Sequence, residues 1–118
     1  MSKPLYIFDL EGTLALIGHR RHFVECPREQ QDWNGFFAAC VNDEPNHSVI
    51  TLMDTLLHSD SDVWIFSGRS DEVRGETLNW LDANTCFLMY AIDEHLLMRR
   101  GGDFTPDEVL KKQWLDAM

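Results

Sequence analysis

Pro4-Leu5-Tyr6-Ile7-Phe8-Asp9-Leu10-Glu11-Gly12-Thr13-Leu14 is the stretch on which the fold turns. Residues 4–9 are a short apolar run that ends in an acid, the pattern of a strand buried on both faces of a parallel sheet. Residues 11–14 then turn the chain. An acid at a strand end, a second acid two positions on and a Gly-Thr turn behind them set two carboxylates over one crevice. Asp9 can attack a phosphoryl group. Glu11 can protonate the leaving oxygen and later take a proton from water. The plainer alternative is a strand end followed by a turn whose acids are incidental.

Outward from this strand, apolar runs alternate with helical periods. Residues 18–47 are polar with scattered aromatics, and Asp32 to Phe37 within them could form a short helix. Residues 48–58 carry Val49, Leu52, Met53 and Leu56 at helical spacing, with Ser48 in the N-cap position. Residues 62–66 read as a second buried strand, ended by Ser67-Gly68-Arg69, and residues 71–82 as a helix with Val73, Thr77, Leu78 and Leu81 inward. Residues 86–92 read as a third strand, and residues 106–117 as a last helix with Thr105 as cap and Pro106 in its first turn. The alternation predicts an α/β fold, a parallel sheet of about three strands ordered 3-2-1 with right-handed crossovers and flanking helices. In such sheets ligands bind beyond the carboxyl ends of the strands, where Asp9 and Ser67 both fall.

Composition narrows the function classes. The chain has 118 residues, one domain's worth, with 44% hydrophobic and 25% charged residues, as expected of a soluble globular protein. A net charge of -10 argues against direct binding to bulk nucleic acid, which needs Lys and Arg over the phosphates. It fits either a solubility charge or an acidic surface that attracts a basic partner or imitates nucleic acid. No apolar run approaches a membrane span, and the N-terminus turns acidic where a secretion signal would stay apolar. Cys26, Cys40 and Cys86 are odd in number and form no CxxC, so free thiols and a cytoplasmic location are expected. The five histidines show no metal-binding spacing, and no Gly-rich nucleotide loop occurs.

The segment Asp9-Leu10-Glu11-Gly12-Thr13 resembles motif I, DxDGT, of the haloacid-dehalogenase-like (HAD) superfamily, and Ile65-Phe66-Ser67-Gly68-Arg69 resembles its second motif. More narrowly, the chain is similar to the phosphatase half of polynucleotide kinase/phosphatase and to small phage-encoded relatives. Those proteins carry an Arg eleven residues after the nucleophile, matched by Arg20. Their SGR with a following helix ending in Trp-Leu is matched at residues 67–81. Their Met-Arg, Gly-Asp and Asp-x-x-x-Lys are matched by Met98-Arg99, Gly102-Asp103 and Asp107 to Lys111. The resemblance spans residues 4–115 and implies a Rossmann-like HAD fold. It implies Asp9 as nucleophile, Glu11 as general acid/base, and Lys111 as the cation that neutralises charge on Asp9 and the phosphate. Lys112 competes for that last role on sequence alone. It further implies a phosphate or substrate site of Thr13, Arg20, Ser67, Gly68, Arg69 and Asp107, with Arg forks suited to the phosphate. For each Arg the alternative is a solvated surface charge. Mg²⁺ is the implied cofactor, held by Asp9 and by Glu11 through its backbone carbonyl.

Two departures qualify that expectation. Glu11 stands where the family has Asp, and its extra methylene displaces the carboxyl by about a bond length. The family's fourth motif, a strand with one or two Asp supplying a further metal carboxylate, is not reached by Met118, so Mg²⁺ binding is expected to be weak or lost. Residues 1–118 therefore read as a single HAD-like domain without that segment, and strand 4–9 as a sheet edge. A homodimer or a protein partner is expected to cover it. Two functions follow. One is a degenerate phosphatase fold reused as a non-catalytic binder or inhibitor, against a host macromolecule in the host cytoplasm if the chain is phage-encoded. The alternative is a Mg²⁺-dependent phosphomonoester hydrolase acting on nucleotide or nucleic-acid 3′-phosphates through an aspartyl-phosphate on Asp9.

Overall fold

The computed structural model describes residues 3–118. Met1 and Ser2, which the single-domain reading includes, lie outside the described residues, as does the side chain of Met89. Strand β1 (Leu5–Asp9) runs parallel to β4 (Asp62–Ser70), which runs parallel to β5 (Leu96–Arg99). The order β1-β4-β5 is the predicted 3-2-1 sheet. Between the first two strands lie β2 (Ala15–Leu16), α1 (Trp33–Ala38), β3 (Glu44–Pro45) and α2 (His47–Leu57). The short strands β2 and β3 pair antiparallel and tie the turn after β1 to the start of α2. Helices α3 (Arg74–Asn84) and α4 (Met89–His95) separate β4 from β5, and α5 (Asp107–Asp116) ends the chain's elements. Among the described residues, no helix is long and apolar enough to cross a membrane.

Parallel register puts Phe8 beside Ile65, and Ile65 beside Leu96. These side chains form one sheet face, which packs with Ile50 and Met53 of α2, Trp80 and Leu81 of α3 and Ile92 of α4 in a single core. The opposite face carries Phe66, whose ring meets Trp114 of α5 edge-on at 5.5 Å. Helices on both faces are the condition for a parallel sheet, because neither face can meet water.

The third strand corrects the sequence reading. Residues 86–92 are not a strand: Met89–His95 is helical, and the strand is Leu96–Arg99. A strand buried on both faces needs continuous cover, yet Leu88 and Tyr90 are exposed while Phe87 and Ile92 are buried. That spacing is helical, and a seven-residue apolar run cannot announce it beforehand. Helix α2 starts at His47 with Asn46, not Ser48, as its N-cap, and Leu52 faces solvent while Ile50 is buried. Asn46 makes no cap bond; its side-chain amide donates to the Thr13 carbonyl at 3.0 Å. Thr105 does not cap α5 either, since its hydroxyl donates to Asp103 Oδ1 at 2.6 Å.

Candidate active site

β1 ends at Asp9, and β4 passes it at Phe66, so Asp9, Ser67 and Gly68 gather at the carboxyl end of the sheet. Asp9 Oδ1 accepts the Leu10 amide at 2.8 Å and Lys111 Nζ at 2.9 Å. Lys111 is brought in by α5, where it also pairs with Asp107, one turn earlier, at 2.9 Å. Burial works against the Lys111 charge. Its hydrogen bonds to Asp9 and Asp107 outweigh that and hold its pKa above the ordinary 10.5. Lys112 points away and bonds Asp116.

Gly68 has a steric reason to be glycine. A Cβ there would sit 2.0 Å from Asp107 Oδ1. Arg99 closes this side: its Nε donates to the Gly68 carbonyl at 2.8 Å, and Nη1 to the carbonyls of Asp103 and Thr105 at 3.0 and 2.6 Å. The backbone of Gly12 is left-handed, at φ 76°, which lets the chain turn back after Glu11.

Glu11 is clamped from two sides. One oxygen accepts from Arg69 Nε at 2.6 Å and the other is bonded by Arg20 Nη2. Both guanidiniums are fully buried and both also bind Asp43. Arg20 meets Asp43 with Nε and Nη2, each at 2.7 Å, and Arg69 with Nη2 at 3.0 Å. The remaining donors go to the Phe36 carbonyl from Arg20 and to Thr77 Oγ1 from Arg69. Burial works against the Arg20 charge, but its pairing with Asp43 and Glu11 raises its pKa. Two guanidiniums against two carboxylates leave the cluster neutral, the condition under which buried charges persist. His19, half-exposed, adds a bond to Asp43 Oδ1 at 2.7 Å. Arg20 and Arg69, read from sequence as substrate grips, thus sit behind Glu11 and hold it. Asp43, which organises the cluster, carried no sequence signal: it is one of twenty acids, in a polar stretch.

A cleft of ≈910 Å³ opens over these groups. Asp9, Glu11, Gly68, Arg69, Asp107 and Lys111 line it, whereas Thr13, Arg20 and Ser67 do not. Ser67 is buried beneath the floor, its Oγ accepting the Arg69 amide at 3.0 Å, and Thr13 contributes its carbonyl to Asn46. One wall is aromatic, from Trp33, Phe36 and Phe37 of α1, and Phe104 stands on the loop before α5. Neither Trp33 nor Phe104 was picked out as a site residue from sequence.

A Mg²⁺ ion suits this donor set only with few protein ligands. Among the described residues no three His, Cys, Asp or Glu side chains converge as a metal cage. The Glu11 carboxylate is committed to arginines on both oxygens, so it does not fit as a ligand through its side chain. The Asp9 carboxylate and the Glu11 backbone carbonyl, which lies outside the hydrogen bonds of the turn, do fit and would hold the ion.

A family model described as the polynucleotide kinase PNKP phosphatase domain matches residues 3–118. The chain is similar, at 27% identity and a TM-score of 0.71, to one in the structure of the Pnkp1/Rnl/Hen1 RNA repair complex, with 98% of this chain and 31% of that chain covered. A second structure of a Pnkp1/Rnl/Hen1 complex matches at 27% identity and a TM-score of 0.68, with 97% and 34% covered. This chain therefore spans about a third of the length of the chains it matches. No curated protein matches significantly.

Proposed function

This chain belongs to the polynucleotide kinase PNKP phosphatase-domain family, and on that premise we propose that it hydrolyses phosphomonoesters at nucleotide or nucleic-acid 3′ ends through an aspartyl-phosphate on Asp9. The observation that carries the proposal is the Asp9–Lys111–Asp107 chain of contacts, 2.9 Å at each step, at the floor of an open cleft. Lys111 neutralises one oxygen of Asp9 and leaves the other to attack phosphorus. As the new O–P bond forms, the bond to the leaving alcohol breaks and that oxygen takes a proton from Glu11, which must enter this step protonated and released from one of its arginines. Water then attacks the aspartyl-phosphate, Glu11 takes its proton, and phosphate departs. Arg20, Arg69 and Asp43 hold Glu11 in its ionised form, the form that takes the proton from water. Mg²⁺, when held by Asp9 and the Glu11 carbonyl, would neutralise charge on the phosphoryl oxygens.

The second reading is a non-catalytic binder or inhibitor. It is favoured by the Glu11 clamp, which engages both carboxylate oxygens, and by the net charge of -10, suited to a basic partner. On either reading we propose that the free side of β1 accepts a strand from a second copy or a protein partner.

Assays with p-nitrophenyl phosphate and a 3′-phosphorylated oligonucleotide, with and without Mg²⁺, separate the two. The hydrolase reading expects Mg²⁺-dependent release of phosphate that Asp9→Asn abolishes. A folded protein that releases none, or whose turnover survives Asp9→Asn, sinks it; the first outcome supports the binder.

A further inference from the structure

The cleft is larger than a phosphate needs, and its aromatic content is unexplained by the chemistry at its floor. Phosphoryl transfer needs Asp9, Glu11 and Lys111, which are polar, yet two large aromatic side chains stand exposed in the same cleft. Trp33 is 48% exposed and Phe104 is 91% exposed. Exposing so much ring surface to water is unfavourable, so two such rings lining one cleft mark a contact surface.

The Trp33 ring is held by its neighbours, and the Phe104 ring is carried on a backbone that is held. The Trp33 indole donates to Gln31 Oε1 at 3.2 Å and meets Phe36 edge-on at 5.6 Å and 79°. Phe36 is itself buried with the Arg20 guanidinium 4.4 Å from its ring centre, so Trp33 is anchored to the ion cluster that holds Glu11. Phe104 rides a loop whose carbonyls on either side, Asp103 and Thr105, are both gripped by Arg99. The Thr105 amide and hydroxyl both bond Asp103 Oδ1, which closes the loop around Phe104.

We propose that Trp33 and Phe104 form a nucleobase subsite, which takes the unpaired terminal base of the nucleotide whose phosphate lies over Asp9. The inference rests on the hydrolase reading above and adds to it the form of the substrate. A base offers the flat apolar face that exposed aromatic rings stack upon. A base joined through a sugar to a phosphate also matches a cleft with aromatic walls and a polar floor, in the volume range of small-molecule sites. Charge sets the length of what enters. Six carboxylates and four cations line the cleft, so a run of backbone phosphates along it is repelled, whereas one terminal phosphate meets Lys111. A base within a duplex is stacked and paired, so the end must be single-stranded to enter.

The test is isothermal titration of the wild-type chain with Mg²⁺ withheld, so that Asp9 and Lys111 stay in place and no turnover occurs. The probes are adenosine 3′-monophosphate and the base-free glycerol 2-phosphate. The nucleotide is expected to bind at least tenfold more tightly. Phe104→Ala, at an exposed ring, and Trp33→Ala, checked for an unchanged melting temperature because Trp33 packs on Phe36, are each expected to weaken the nucleotide by about tenfold and to leave glycerol 2-phosphate unchanged. Equal binding of the two probes, or nucleotide affinity untouched by both substitutions, overturns the subsite and leaves the phosphate site standing. Binding of neither probe overturns the phosphate site and the subsite together.

Discussion

Lys111 Nζ lies 2.9 Å from Asp9, while its neighbour Lys112 turns outward to Asp116, with its side chain 73% exposed. On a helix, successive residues point about 100° apart, so only one can face the sheet end. Lys111→Ala should therefore lower kcat/KM by roughly 100-fold to 1,000-fold, the usual loss for one preorganised donor. Lys112→Ala should change it less than about twofold. A larger effect at Lys112 would contradict the placement of both. The pH dependence of stability has a definite sign. The folded state holds the Lys111 pKa above its ordinary 10.5, so its stabilising share is complete below that pH. It is lost as pH rises through the higher folded value. Alkaline unfolding of the wild-type chain and of Lys111→Met should thus converge above pH 10.5 and differ below it. The site was unevenly legible at this scale. Asp9, Glu11, Gly68 and Lys111 stand in short motifs with fixed offsets, so their gathering could be read. The clamp of Arg20 and Arg69 on Glu11, braced by Asp43, joins four separate segments, and the burial of both arginines is a tertiary fact.

Gly68 lies within β4 where its pairing with β5 shifts register, between Ser67 and Ser70. The shift lets α5 bring Asp107 against the strand, and the missing Cβ makes room for it. In Gly68→Ala the added carbon would fall 2.0 Å from Asp107 Oδ1, and the Asp107 side chain is 49% exposed. A flexible, half-exposed carboxylate can swing aside, so the fold should lose little, within about 1 kcal/mol. Asp107 would then release Lys111 and Arg99, and a misplacement near 1 Å can cost on the order of 100-fold in rate. We expect Gly68→Ala to melt close to wild type but to lose most of its turnover. Equal loss of stability and activity would show that Gly68 serves the fold alone. Element by element, the sequence was legible where an apolar run ended in an acid, as at Asp9, whereas the strand read as 62–66 and ended by Ser67-Gly68-Arg69 runs on to Ser70. The sequence was misread at residues 86–92, where the core takes Phe87 and Ile92 in full and Ala91 in part, at helical spacing. The strand that completes the sheet, Leu96–Arg99, is four residues long and ends in a charge, too short to stand out.

At the scale of the whole molecule, the described sheet has β1 on its edge, with Leu5 43% and Tyr6 39% exposed. An unpaired apolar edge is a template for a further strand. The simplest closed arrangement for one kind of chain is a two-fold dimer with the β1 strands antiparallel. Charge opposes it, since each copy carries -10. At 0.15 M ionic strength such repulsion is screened beyond about 8 Å, and at 1 M beyond about 3 Å. Added salt should therefore tighten self-association, whereas it would weaken the grip on a basic partner. Sedimentation at low and high salt reads this directly: the weight-average mass should rise with salt at a fixed protein concentration. Tyr6→Lys places a charge on the edge without touching the cleft, so it should hold the chain monomeric at both salt levels and leave catalysis intact. A wild-type chain that stays monomeric in both conditions at high concentration would refute pairing between copies. A complex with a basic protein that loosens as salt rises would instead assign the edge to a different partner, because only unlike charges attract through water and lose that attraction to counterions.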